Sequence, residues 1–186
     1  MQSDADLSRI IEKCKKADAD AFAKLVDIYA ERCYGYFFRL TSDESVSEDL
    51  LSELFIKLIE KIGTCRTETF EPWLFKTASN VFHDYLRDKY RREKFQQAHR
   101  KDIYAAGSGQ KRSDAELFDE LQFQLDRLDS ETRELIVLRY YSDLSFKALG
   151  RLVGAPTGTV LSKVHRGLKK LREQMQPEKE AKHNGQ

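Results

Sequence analysis

Residues 145–171 read SFKALGRLVGAPTGTVLSKVHRGLKKL, and this stretch decides the fold. It predicts a short helix over 145–153, a break at Gly154, and a longer helix opening at Pro156 or Thr157. Two helices joined through so tight a turn need a small residue where their backbones approach, and Gly150 stands at that point. Val160, Val164, Leu168 and Leu171 recur at steps of three and four, which gives the second helix one apolar face. The pattern is a helix-turn-helix.

Upstream, Leu117, Leu121, Leu125 and Leu128 predict one helix, and Ser130 starts another carrying Leu135, Ile136 and Leu138. Before these, apolar periodicity fades through FQQAHRKDIYAAGSGQKRSDA, where Gly107-Ser108-Gly109 breaks any helix. So long a structureless stretch is uncommon inside one domain, and it divides the chain into a domain at 1–95, a flexible linker at 96–115 and a domain at 116–175. A polar tail follows at 176–186.

The first domain is also helical by periodicity. Phe22, Leu25, Val26, Tyr29, Cys33, Tyr36, Phe37 and Leu40 share one face, with Asp18 or Asp20 as the cap. A second run, Leu50, Leu51, Leu54, Phe55, Leu58, Ile59 and Ile62, is expected to start after Ser47 and to stop at a left-handed Gly63. A third helix has Pro72 in its first turn and Trp73, Leu74, Val81, Phe82, Tyr85 and Leu86 as its buried face. No segment alternates like a strand. The expected fold class is all-α, two small helical domains joined by a flexible linker.

The 186 residues carry 32 Lys+Arg against 31 Asp+Glu, a formal net charge of +1, but the charges are segregated. Asp43, Glu44, Glu48, Asp49, Glu53 and Glu60 make the second run acidic, opposed by Lys57. Arg87, Lys89, Arg91, Arg92, Lys94, Arg100 and Lys101 make the run from 87 to 101 basic, and Lys163, Arg166, Lys169, Lys170 and Arg172 lie on the last helix. Either basic run alone reads equally well as the solvated face of an amphipathic helix, and the acidic run alone more naturally so. Two basic helices on different domains point to two contacts with one polyanion. DNA would repel the acidic helix, whose natural partner is a basic protein surface.

Other classes are excluded. No stretch approaches the ~20 apolar residues of a membrane span, and MQSDADLSRIIEKC opens polar and acidic, so a cytoplasmic protein without membrane insertion is expected. Cys14, Cys33 and Cys65 are three and far apart, which supports neither a disulfide framework nor a metal knuckle. Each reads as a small packing residue. His83 and Asp84 are sequence neighbours and point to different sides of a helix. No nucleophile constellation or glycine-rich phosphate loop occurs, so no catalytic residue, metal or cofactor is expected.

In order and separation, DADAFAKLVDIYAERCY, SEDLLSELFIKL, FEPWLFKTASNVFHDYLRDKYRR and the closing LDSETRELIVLRYYSDLSFKALGRLVGAPTGTVLSKVHRGLKKL together resemble the bacterial RNA polymerase sigma factors of the extracytoplasmic-function group. The resemblance implies a promoter-melting domain, a linker threading polymerase and a helix-turn-helix domain. It implies a transcription initiation factor that binds core polymerase, directs it to promoters and promotes melting. Asp49, Glu53, Leu54 and Phe55 would dock on the β′ clamp helices, and the β subunit is a further contact. Segment 64–72 would receive a base flipped from the −10 element, and Asn80 suits a base-edge reader because its amide both donates and accepts. Trp73 reads as core by spacing alone, but the resemblance places it at the −10 DNA with Lys76, Arg87, Arg91 and Arg92, the last four as phosphate binders.

For the −35 element, the resemblance places the last helix in the major groove. Thr157 and Thr159 lie at its phosphate-binding start, and Ser162, Lys163, His165, Arg166 and Lys169 are the candidate readers further along. Ser52, Leu161 and His165 depart from the family's frequent glutamine, basic residue and aromatic, which leaves the preferred promoter open. Such factors are often held inactive by an anti-sigma protein, a further candidate partner. The alternatives are a stand-alone helix-turn-helix repressor or activator whose first domain senses a ligand or dimerises, and a helical adaptor that binds protein only. Neither explains a basic, aromatic-rich helix beside an acidic one.

Overall fold

A computed structural model describes residues 4–97 and 114–175, which form two compact units, and every regular element among them is helical. The first unit holds α1 (Asp4–Cys14), α2 (Ala19–Thr41), α3 (Glu44–Lys61), 3-10 turns at Ile62–Thr64 and Thr67–Thr69, and α4 (Phe70–Gln97). The second holds α5 (Asp114–Asp126), α6 (Ser130–Ser142), α7 (Phe146–Val153) and α8 (Thr157–Met175). The helices flanking the expected linker run to 97 and start at 114. The linker's remaining residues, with Arg100 and Lys101, and the tail lie outside the described residues.

Local chemistry sets the ends of α2. The Asp18 carboxylate accepts from the Ala21 N–H at 2.9 Å, and Ser42 closes the helix in the left-handed region with its N–H on the Phe38 carbonyl. Between them Leu25, Tyr29, Cys33, Tyr36, Phe37 and Leu40 are buried. Tyr36 meets Phe75 of α4 edge-on at 6.0 Å, and Tyr29 meets Phe70 at 5.4 Å, so aromatic contacts fix α4 against α2. Each of these buried side chains contributes about 1.5–3 kcal/mol by leaving water.

Helix α3 departs from its expected bounds. Its cap is Asp43, which accepts from the Val46 N–H at 3.0 Å, while Ser47 is buried one turn inside and donates to the Asp43 carbonyl at 2.6 Å. An aspartate four residues earlier took the role, and the serine hydroxyl was left to bond back along the helix. Gly63 is not left-handed, because the chain tightens into a 3-10 turn that satisfies the last carbonyls without one. Leu50, Leu54 and Leu58 are buried, but Ile59, expected with them, is 58% exposed. It lies about 100° round the helix from Leu58, beyond the strip the core covers. In α4 Leu74, Val81 and Phe82 are buried as expected, whereas Trp73, Tyr85 and Leu86 are half-buried.

Helix α1 was not singled out by periodicity, although Leu7, Ile10, Ile11 and Cys14 carry the helical spacing. It packs on α2 and on the two 3-10 turns, with Ile11 and Cys14 buried.

In the second unit Asp129 caps α6 by accepting from the Thr132 N–H at 2.9 Å, and Ser145 caps α7 through Ala148. Gly154 follows α7 at φ +72°, a conformation that penalises any side chain. A Cβ on Gly150 would stand 2.7 Å from the Ala155 carbonyl oxygen. The α7–α8 turn closes only because that atom is absent. A second close approach has no local sequence signal: a Cβ on Gly167 would lie 2.5 Å from Thr132 Cγ2 and 2.7 Å from Ile136 Cδ1, so α8 rests directly on α6. Val160, Val164 and Leu171 are buried beside Gly167, and Leu168 is half-buried.

Candidate nucleic-acid interfaces

Helix α4 places Trp73, Lys76, Thr77, Asn80, His83, Asp84 and Arg87 at steps of three and four, and all seven line one groove of about 450 Å³. The opposite wall is α3, which contributes Lys57 and Lys61. Four of the lining side chains are cationic (Lys57, Lys61, Lys76 and Arg87) and one, Asp84, is anionic. The groove therefore attracts a polyanion although the chain is nearly neutral. Asp84 pairs with Arg87 and stands 3.9 Å from Lys57, which also meets Glu53 at 3.1 Å. These are partly exposed pairs at the groove's surface, of small energy and open to exchange for phosphate contacts.

Asn80 is exposed, its amide open to base edges from within the groove. Trp73 is half-buried, its ring tilted 37° against Phe70 at 6.0 Å, so the core assignment suggested by spacing holds for only part of the side chain. Arg91 continues the line one turn beyond Arg87 and pairs with Asp88 at 3.5 Å, and Arg92 is exposed beside it. Neither lines the groove. Lys57 and Lys61 were missed because they belong to the acidic helix. Their signal was the i, i+4 spacing on the side of α3 away from Glu48 and Asp49.

The outer side of α3 is a separate surface. Glu48, Asp49, Ser52, Ile56, Ile59 and Glu60 are exposed along one stripe, with Ile56 57% and Ile59 58% exposed at its centre. Of the four residues expected to dock on polymerase, Asp49 is exposed, Glu53 and Phe55 are half-buried, and Leu54 is completely buried. Leu54 seats α3 against the rest of the unit, so it supports the expected docking face from beneath. Ile56, which the residue pattern did not distinguish, lies on the accessible face.

Helix α8 presents Thr157, Thr159, Ser162, His165, Arg166 and Lys169 to solvent, opposite the strip formed by Val160, Val164, Gly167 and Leu171. The Ser162 hydroxyl donates to the Gly158 carbonyl at 2.8 Å, and Arg166 Nε donates to the Ser162 carbonyl at 3.3 Å. Lys169 lies 3.8 Å from Glu173. Lys163 is half-buried and paired with Glu131 at the start of α6. It stands to one side of the outward face, where it and Arg166 line a cleft of about 430 Å³ with Asp129 and Lys170. At the helix start the Thr159 N–H already donates to the Pro156 carbonyl at 3.0 Å. Thr159 itself is exposed.

The three cysteines are buried. Burial pushes the Cys14 thiol up to about 11 and the Cys33 thiol up to about 12, and raises Cys65 in the same direction. All three are free thiols. Among the described residues no cluster of His, Cys, Asp and Glu could hold a metal ion, and no helix is long and apolar enough to cross a membrane.

Comparison with known proteins assigns both units. Residues 25–92 match the family model Sigma-70 region 2, and residues 124–173 match Sigma-70, region 4. The chain is similar to ECF RNA polymerase sigma factor SigW of Bacillus subtilis, at 31% identity over 180 residues, covering 91% of this chain and 96% of that protein. It is also similar to RNA polymerase sigma factor CarQ of Myxococcus xanthus, at 33% identity over 165 residues, covering 88% and 94%. In three dimensions it resembles the sigma factor RpoE of Bartonella quintana, solved with the anti-sigma factor NepR, with TM-score 0.68 and 22% identity, covering 83% of this chain and 96% of that one. A stand-alone repressor accounts for the second unit but not for a first unit that matches region 2. With its basic groove, its acidic outer helix and its helix-turn-helix matched in order, the chain belongs to the extracytoplasmic-function RNA polymerase sigma factors and is a transcription initiation factor.

Proposed function

We propose that the first unit holds the non-template strand of the −10 element in the α3–α4 groove. Asn80 reads a base edge, Trp73 offers an aromatic surface at the groove's upper end, and Lys57, Lys61, Lys76 and Arg87 hold phosphates. Arg91 and Arg92 extend the phosphate contacts along α4. Opening base pairs costs free energy that capture of an extruded base by segment 64–72 partly offsets, so melting needs no nucleotide hydrolysis. The single observation that carries this reading is the convergence of Trp73, Lys76, Asn80 and Arg87 on one groove with two further cations opposite.

The outer stripe of α3 docks on the β′ clamp helices of core polymerase, with Ile56 and Ile59 as its apolar centre and Glu48, Asp49 and Glu60 as its charged rim. Helix α8 enters the major groove at the −35 element. Thr157, Thr159 and Lys169 fix its register on phosphates, and Ser162, His165 and Arg166 face the bases, with Lys163 at the side. The function is performed by binding, in the cytoplasm where promoter and polymerase meet. An anti-sigma factor of the kind bound to the Bartonella quintana relative is the inhibitor class this fold accepts.

The test is run-off transcription with reconstituted core polymerase and a selected promoter, together with permanganate footprinting of the bubble. The parent chain binds core and yields transcript, and Asn80→Ala lowers permanganate reactivity while core binding is kept. Tight duplex binding without polymerase and no transcript would refute the proposal, as would loss of core binding in Asn80→Ala.

A further inference from the structure

Helix α1 contributes nothing to the groove, yet it is tied to the segment that closes one end of it. Lys61 and Trp73 line opposite walls of the groove, so the chain between them, with its two 3-10 turns, spans those walls. Within it Ile62 and Cys65 are buried, as are Ile11 and Cys14 of α1, while Thr64, Arg66, Glu68 and Thr69 are exposed. At the polar edge of this contact Lys15 Nζ donates to Glu12 Oε1 at 2.8 Å and to Thr67 Oγ1 at 2.9 Å. Thr67 Oγ1 in turn donates to Glu12 Oε1. The hydroxyl uses its one proton toward the carboxylate and a lone pair toward the ammonium, so the three groups close a satisfied ring. The Lys15 and Thr67 hydrogen bonds hold the Glu12 carboxyl below its ordinary value, which keeps it the acceptor at neutral pH.

A loop that must receive an extruded base does so best when its shape exists beforehand, because ordering it on binding would subtract from the capture energy. Segment 65–70 is tied locally by the Cys65 N–H on the Ile62 carbonyl and the Thr69 N–H on the Arg66 carbonyl, each 3.0 Å, by the Phe70 N–H on the Thr67 carbonyl, and by the Cys65 thiol and Thr69 hydroxyl on the Arg66 carbonyl. Phe70 anchors its end against Tyr29 of α2, and the middle of the segment is held from outside by Thr67, whose partners Glu12 and Lys15, at the end of α1, are more than fifty residues away in sequence. We propose that α1 is a positioning element for base capture, with Glu12, Lys15 and Thr67 holding segment 65–70 in its receiving shape. This rests on the base-capture reading above.

The test uses the full chain with core polymerase, a library of −10 sequences and permanganate footprinting. Thr67→Val and Glu12→Ala should each lower open-complex yield by about 2- to 10-fold, the worth of one or two hydrogen bonds. They should also flatten the base preference at the captured position, with core affinity unchanged. Thr67→Ser, which keeps the hydroxyl, should restore both readouts. Unchanged base preference and reactivity in Thr67→Val and Glu12→Ala would overturn the proposal, and so would an equal loss of core affinity, since the ring would then serve the fold alone. Asn80→Ala in parallel separates the two levels. If it melts DNA normally, base capture itself fails, and if it is impaired while the other two are not, only the positioning role of α1 fails.

Discussion

A single hydrogen at Gly150 sets the angle between α7 and α8. Gly150→Ala would force a methyl to 2.7 Å from a backbone oxygen that has no rotamer by which to escape. The expected cost is about 1–3 kcal/mol of stability, measured by denaturant unfolding, with weakened −35 binding because α8 is displaced. Arg166 is a different kind of residue: exposed and held over its own helix by the Ser162 carbonyl, it contributes little to folding. Arg166→Ala should weaken −35 recognition by ~1–3 kcal/mol if it reads a base, and relax preference at one position, with unchanged unfolding. An unaltered footprint there would refute its role. Gly150 was legible in the sequence because a tight helical turn leaves one place for a missing side chain. Gly167 was not, because the partner it accommodates, Ile136, is thirty-one residues away and no local pattern names it.

At the scale of elements, caps and faces decide what each helix does. The Asp129 carboxyl is held below its ordinary value, first by the Thr132 N–H and then by the Thr132 hydroxyl. A depressed carboxyl pKa adds stability above the unfolded value, and that stability is lost as pH falls through the folded value. The second unit should therefore weaken below about pH 4, near the carboxyl range of unfolded chains. Asp129→Asn, which still caps a helix, should lose less stability than the parent between about pH 7 and pH 3.5, as followed by denaturant titration. Equal losses would assign the pH dependence to other carboxylates. Helix α3 shows what periodicity can and cannot read. Its acidic, amphipathic character is visible, but the run does not tell Leu54, which is buried, from Ile59, which is exposed. Both fit an apolar run, and only the width of the surface offered by α2 and α4 determines which of them is covered.

For the whole molecule, the formal charge of +1 conceals the sorting of charge onto surfaces. Lys61 tests that sorting, since it belongs to the acidic helix yet faces the groove. Lys61→Ala should weaken promoter binding by the holoenzyme about equally for all −10 sequences, and reduce the slope of log affinity against log salt by about 1. An unchanged salt slope would remove Lys61 from the DNA path. The helical class, the helix-turn-helix with its two working glycines and the two-part organisation can be read in the sequence, whereas the DNA-facing residues of α4 came from the family resemblance. The first three follow from short-range rules of spacing, capping and turn geometry. Only long-range packing makes α3 the second wall, leaves Ile59 outside the strip the core covers, and brings α1 to the turn before α4. A helical repeat specifies which side chains share a face, but which neighbour covers that face depends on contacts between residues far apart in the chain.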